Sequence, residues 1–408
     1  MKKRIIALGA LLLLAVLILG IGAAVRGTEQ QKTAEVIIAT DLHYLSPELT
    51  DHGALFKRLV ENADGKAVEY CEEIVDAFVE QVIAQKPDAL ILSGDLTFNG
   101  EKQSHEALAG KLQSVRTAGI PVFVIPGNHD LGNYMAASFE GESYKHVENV
   151  MPQQFAEIYR DFGYDAALSR DENSLSYMAK LSPSLGLLMV DVNGCRTPGS
   201  ITEGTLDWVE QQLAAAESEG MRVLSVSHQN LLQHSPLFST GFVMYRSEQL
   251  LELLERYDVI CHFSGHMHTQ HIAQSANGFT EFVTSSMLVP PLQYGVLSLG
   301  ETSANYQTRP VELSAEIGEY AKNFFWDTAY RQALEALGVD SDVDDMAAYF
   351  ADINSAYFSG RMDSVEYDTA PLKSWAERDS FLPGYLQSMA ADAGKDYTAF
   401  SLELSEER

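Results

Sequence analysis

The chain has 408 residues, with 28 Lys+Arg against 57 Asp+Glu, a net charge of −29 and a pI near 4.6. Hydrophobic residues at 46% and aromatics at 10% exclude a disordered or collagen-like chain, and the acidic balance argues against a nucleic-acid polymer as partner, which needs a basic excess to release counterions. Three cysteines (Cys71, Cys195 and Cys261) exclude a disulfide scaffold; they allow one bridge at most and read as small buried apolar residues.

Lys2, Lys3 and Arg4 precede an unbroken apolar run from Ile5 to Val25, closed by Arg26. A helix of that length spans about 32 Å, enough for a ~30 Å hydrocarbon core. The preceding positive charges place the rest of the chain outside the cytoplasm. Residues 1–26 are therefore expected to form a single-pass membrane anchor. The small residues Gly22-Ala23-Ala24 leave open a cleaved signal peptide and a secreted product.

After a polar linker over 27–34, Glu35–Thr40 (EVIIAT) reads as a buried strand. Apolar residues at 3–4 spacing then predict a helix over Lys66–Gln85. Ala89–Leu92 and Pro121–Ile125 read as strands, with a helix over Lys102–Ala118 between them. Leu131–Asp171 reads as a long insertion with its own helical pattern. Further strands are expected near Leu175–Lys180, Leu187–Val192, Val223–Ser227 and Val259–Phe263, and several more between Ile272 and Gln307. Helices near Leu206–Ser218 and Glu248–Arg256 separate them. This alternation predicts an α/β domain over 35–308 with helices covering the sheets.

From Arg309 the pattern becomes helical, so 309–408 is expected to be a C-terminal helical domain. It carries 8 Lys+Arg and 20 Asp+Glu. Its aromatic rows, Tyr349, Ile353 and Tyr357 beside Phe350 and Phe358, read as core. Asp342, Asp344 and Asp345 suit a helix start.

Polar chemistry is concentrated where apolar strands end. Five signatures occur in order: Asp41-Leu-His43; Gly94-Asp95 within GDLTFNG; Gly127-Asn128-His129-Asp130; His228; and Gly265-His266-Met-His268. Loops at the carboxyl ends of strands converge on the crevice where α/β sheets bind ligands. With Asp130 set aside, together they offer two carboxylates, one amide oxygen and five imidazoles. That mixture suits divalent Mn, Fe or Zn rather than Ca, which wants only oxygen.

In this order the signatures resemble the calcineurin-like metallophosphoesterases over about residues 35–300. The resemblance implies two mixed β-sheets packed face to face with helices outside, a four-layer αββα sandwich. It also implies two divalent metal ions, one bound by Asp41, His43, Asp95 and His268. The other would be bound by Asp95, Asn128, His228 and His266, with Asp95 bridging. His129 would be the catalytic histidine beside the phosphate, and Asn128 would also contact substrate. Hydrolysis would proceed by attack of a metal-bridging hydroxide on phosphorus. Asp130 reads as a brace for its loop.

Departures narrow the kind of enzyme. Purple acid phosphatases carry tyrosine where this chain has Phe98 and glycine where it has His43. Extracellular 5′-nucleotidases append a much larger second domain. DLH with GDLTFNGE looks more like bacterial cyclic-nucleotide-type phosphodiesterases. Arg196 and Arg246 lie in loops able to hold a second phosphate or a leaving group, Arg196 being the substrate-binding candidate. His105, His146, His234, His262 and His271 read as structural or exposed. The expected function is hydrolysis of a small phosphodiester, cyclic nucleotides included. The alternatives are a phosphomonoesterase and an inactive, metal-stabilised binding protein of the cell envelope.

Overall fold

The computed structural model describes residues 34–338, 343–370, 372–378 and 381–404. The expected membrane anchor and nearly all of the linker lie outside them, as does Asp342. Among the described residues no helix is long and apolar enough to cross a membrane.

The strands are, in chain order, β1 (Ala34–Ala39), β2 (Ala89–Leu92), β3 (Val122–Val124), β4 (Ala137–Glu140), β5 (Ser143–His146), β6 (Ser169–Arg170), β7 (Tyr177–Ser182) and β8 (Leu185–Met189). They continue with β9 (Arg222–Val226), β10 (His262–Ser264), β11 (His271–Gln274), β12 (Thr280–Val283), β13 (Gln293–Leu299), β14 (Ser303–Pro310) and β15 (Ala399–Glu403). One sheet runs β15-β14-β13-β1-β2-β3 and the other β11-β12-β10-β9-β8-β7-β6. The first has parallel strands β1-β2-β3 at one edge with antiparallel strands beyond β1, and the second has a parallel centre, β8-β9-β10-β12, with antiparallel strands on both sides.

The two sheets pack face to face. Ile37, Leu90, Phe123 and Val296 from the first share one core with Leu187, Leu224, Phe263 and Phe282 from the second. Burial of each such side chain contributes about 1.5–3 kcal/mol. Helices Cys71–Gln85 and Lys102–Thr117 cover the first sheet through Ile74, Phe78, Leu108 and Leu112. Helices Glu203–Ser218 and Ser247–Arg256 cover the second. Strand β8 shows why these strands read as continuous apolar runs. Leu185, Leu187 and Met189 face the central core, while Leu188 and then Val190 face the outer one with Val209 and Leu254. The expected four-layer sandwich is what the chain forms.

Several local expectations change. The helix expected from Lys66 begins at Cys71, after a 3₁₀ turn at Val68–Tyr70, because Gly65 adopts φ +82° and the Ala67 amide donates to Leu288 O. The insertion Leu131–Asp171 is only partly helical. It opens with the β4–β5 hairpin and is helical chiefly at Pro152–Ile158. Ser143–His146 is exposed throughout, so no burial pattern marks it in the sequence. A helix at Ala54–Glu61 was not expected. The three thiols are free, Cys71 and Cys261 buried and Cys195 half-buried.

The tail is helical over Ala315–Leu337, Val343–Ser359, Leu372–Trp375 and Phe381–Ser388. Ala333, Ala347, Phe350, Ile353 and Tyr357 form its core. It ends in β15, which extends the first sheet by pairing with β14. Tail and sandwich are thus joined by backbone hydrogen bonds as well as packing.

A buried polar chain crosses the same junction. Glu281 Oε2 faces His234 Nε2 at 3.1 Å, His234 Nδ1 lies 2.9 Å from His271 Nδ1, and His271 Nε2 lies 3.3 Å from Asp392. Glu281 also accepts from the Leu231 and Leu232 amides and the Ser264 hydroxyl. Burial raises the Glu281 carboxyl, but His234 and these donors outweigh it and bring it down to about 2. A depressed carboxyl stabilises the fold fully above its ordinary pKa, and the contribution is lost as pH falls toward 2. Glu281→Ala strands these partners, and denaturant unfolding at pH 7 is expected to show a loss of about 3–5 kcal/mol. A loss below about 1 kcal/mol would refute this account of the junction.

Candidate metal centre

All five signatures lie just beyond the carboxyl ends of parallel strands: Asp41 and His43 after β1, Asp95 after β2, Asn128 and His129 after β3, His228 after β9, His266 and His268 after β10. Backbone ladders hold the loops together. The amides of Asp41, His43 and Tyr44 donate to the carbonyls of Gly94, Asp95 and Leu96 at 3.0–3.1 Å. Asp130, fully buried, binds the second loop to the third. Its oxygens accept from the amides of Leu96, Thr97 and Gly127 and from Thr97 Oγ1.

Five of these residues sit in the left-handed region: Asp41 (φ 52°), His43 (39°), Asp95 (46°), His266 (69°) and His268 (60°). Such conformations cost about 1–3 kcal/mol each outside glycine and persist where surrounding contacts fix them. Two glycines are required by close approach. A Cβ on Gly127 would collide with the Asp95 amide and Oδ1, and one on Gly265 with Thr40 Oγ1 and Asp41 Oδ2.

The side chains converge in two groups that share Asp95. Asp41, His43, Asp95 and His268 form one, and Asp95, His228 and His266 the other, with ligand atoms in each within 4.8 Å of one another. Asp95 Oδ2 lies 3.9 Å from His43 Nε2 and 3.3 Å from His228 Nε2. Asn128 Oδ1 lies 3.0 Å from His228 Nε2. Hydrogen bonds fix which imidazole nitrogen is free. His228 Nδ1 donates to Ser93 O and His266 Nε2 to Gly241 O, leaving Nε2 and Nδ1 respectively to face the cluster.

The donor set fits divalent cations. Asp41 Oδ2 accepts from Thr40 Oγ1 and the His266 amide, yet its buried Oδ1 accepts no hydrogen bond. That oxygen faces His268 Nε2 at 3.3 Å and His43 Nε2 at 3.8 Å, and those two nitrogens are 3.1 Å apart. Lone pairs converge there with too few protons to pair them. Burial raises the Asp41 and Asp95 carboxyls, but the neighbouring imidazoles, His268 for Asp41 and His228 for Asp95, more than offset it and hold both well below the usual range. Burial keeps His43 neutral, with Lys66 adding to the effect, and brings His266 down to about 4. Burial lowers His228 and His268, but Asp95 for the first and Asp41 with Asp64 for the second outweigh it, pushing His228 up to about 9 and His268 up as well. Because metals bind ionised carboxylates and neutral imidazoles, a cation here displaces protons.

His129 belongs to neither group. Its amide donates to Asp95 Oδ1 at 2.7 Å and its ring packs edge-on against His43. Nδ1 donates to Phe98 O at 2.9 Å, leaving Nε2 to meet a substrate. Asn128 is exposed beside it. Arg196 is exposed on the loop after Asp191, and among the described residues no contact joins it to the cluster. Two residues without a motif do reach the site. Asp64 Oδ2 lies 3.6 Å from His268 Nδ1, and Lys66 Nζ 3.2 Å from that same oxygen. Nothing in the short polar run ADGKA signals this.

The model of the calcineurin-like phosphoesterase domain matches residues 34–270. The chain belongs to the calcineurin-like phosphoesterase family. Residues 34–270 form its phosphoesterase domain. A second model, for the C-terminal domain of cyclic nucleotide phosphodiesterase, matches residues 315–396 of this phosphoesterase. Over 185 residues it is 24% identical to a protein of Arcobacter nitrofigilis named "Probable glycerophosphodiester phosphodiesterase GpdQ". That match spans 45% of this chain and 57% of the relative, so the chain spans little more than half the relative's length. Among solved structures, a dimetal phosphatase from Danio rerio shares the fold with a TM-score of 0.53 at 13% identity, covering 69% of this chain and 98% of that one.

Proposed function

We propose that this phosphoesterase is a two-metal phosphodiesterase for small phosphodiesters, cyclic nucleotides among them. The observation that carries the diester assignment is the joint match of one chain to the phosphoesterase model and to the C-terminal model of cyclic nucleotide phosphodiesterase. The shared carboxylate Asp95 supports two ions, of Mn, Fe or Zn. The apolar run Ile5–Val25 supports activity outside the cytoplasm at a membrane.

Asp41, His43, Asp95 and His268 would hold one ion, and Asp95, Asn128, His228 and His266 the other. Two such cations supply positive charge to the phosphoryl oxygens and acidify water to serve as nucleophile. Asp95, common to both groups, would contact both cations, its Oδ2 facing His43 and His228. Its other oxygen anchors the His129 amide, so the histidine is indexed to the centre. The Phe98 carbonyl orients the ring, and in its imidazolium form Nε2 would deliver its proton to the departing alkoxide, leaving the neutral ring with Nδ1–H on Phe98 O. The exposed Asn128 amide would contact the phosphate.

The test compares bis-p-nitrophenyl phosphate with p-nitrophenyl phosphate on metal-free protein resupplied with Mn²⁺, Zn²⁺ or Fe²⁺. Metal-dependent turnover with a higher kcat/KM for the diester is expected. Preference for the monoester would replace the reading by a phosphomonoesterase. Binding of two ions without turnover of either ester would favour an inactive binding protein.

A further inference from the structure

Segment 61–69 is held between the metal centre and the tail. On one side Asp64 faces His268 Nδ1, and Lys66, with a side chain only 10% exposed, pairs with Asp64. On the other side the helix Ala315–Leu337 grips the segment at successive points. Arg331 donates to Glu61 O, Gln332 Nε2 to Ala63 O at 3.2 Å, and Tyr320 to Glu69 at 2.7 Å. Between them Gly65 lies so close that a Cβ would stand 3.1 Å from Phe325 Cα.

We propose that Asp64 is the outer carboxylate that orients His268, and that the C-terminal helix, by holding segment 61–69, sets the affinity of one of the two metal positions. The inference rests on the reading of the site as a two-metal centre. His268 turns Nε2 toward Asp41 and Nδ1 toward Asp64. A carboxylate opposite Nδ1 keeps the proton there and frees Nε2 for a cation, and such partners typically govern metal affinity by 10–100-fold. Lys66 balances the Asp64 charge inside the cluster. The tail thereby acts as a positioning element, reaching the centre through another segment.

The experiment titrates metal-free protein with Mn²⁺ by calorimetry and records the thermal midpoint of the metal-free form. Wild type is expected to take up two ions. Asp64→Ala is expected to raise one dissociation constant about 10–100-fold and leave the other within about twofold. Asp64→Asn, which keeps an acceptor oxygen, recovers part of the loss. The Asp64 side chain is 49% exposed but pairs with the buried Lys66, so at most a small fall of the metal-free midpoint is expected. Arg331→Ala combined with Gln332→Ala, far from any ligand, is expected to weaken the same position about two- to thirtyfold.

Two unchanged constants in Asp64→Ala would overturn the role of Asp64. Equal weakening of both, with a lower metal-free midpoint, would overturn it in favour of general loss of structure. No effect of the double variant would overturn the role of the tail. Fewer than two ions on wild type would overturn the two-metal reading itself. Two ions on wild type without ester cleavage would remove the phosphodiesterase reading and leave this one standing.

Discussion

Asp95→Asn is expected to abolish binding of two ions and to lower kcat/KM for a diester by about a thousandfold or more, roughly 4 kcal/mol of transition-state stabilisation. Asp95 is the only residue common to both ligand groups, so one substitution weakens both positions. The amide removes the charge while keeping the shape and the Oδ1 acceptor that holds the His129 amide. The loop should survive. Metal content by elemental analysis, kcat/KM and the metal-free thermal midpoint check this together. Two retained ions with a rate within tenfold of wild type would show that Asp95 is not the shared ligand.

His129→Ala is expected to act differently, lowering kcat by about 10²–10⁴-fold while both ions stay bound. The side chain lies outside both ligand groups, and its anchoring contact to Asp95 comes from the backbone, which alanine retains. A proton donor also matters in proportion to how poor the leaving group is. The loss should therefore be small for a nitrophenolate, which departs without help, and large for an alkyl alkoxide. An equal loss for both esters would assign His129 to charge stabilisation instead of proton donation. Loss of an ion would make it a ligand.

The contrast between these variants follows from details of very different legibility. The ligand-bearing residues were readable because their chemistry lies in short segments directly after apolar strands, such as Asp41-Leu-His43 after EVIIAT. A β-strand buried on both faces announces itself as a continuous apolar run, and the polar residues that close it are covalent neighbours. Cys71, Cys261 and the aromatic rows of the tail were readable for a similarly local reason, whereas Cys195, expected to be buried, is half-buried. The hairpin over Ala137–His146 was not, because its second strand is exposed and carries no burial pattern. Strand β15 was hidden at the end of a helical stretch, since its pairing partner β14 lies almost a hundred residues earlier.

The left-handed backbone at Asp41, His43, Asp95, His266 and His268 left no trace in the sequence either. Aspartate and histidine tolerate that region better than most residues, but nothing local demands it. It is imposed by amide–carbonyl contacts between loops that follow different strands. Asp64 and Lys66 lie on a segment that a helix some 260 residues away in the chain holds by hydrogen bonds to Glu61 and Ala63.

By itself, then, the sequence determined which donor atoms are present, that each sits where a buried strand ends, and that a helical tail follows the α/β body. Apolar patterning and covalent adjacency act over a few residues and are visible in a linear string. Only the tertiary structure decided which oxygen of Asp95 faces both ligand groups, which nitrogens of His228 and His266 are hydrogen-bonded away from the cluster, and that the tail grips segment 61–69 beside the centre. Those are distances and orientations between groups brought together by the packing of two sheets and a distant helix, and the spacing of residues along the chain does not encode them.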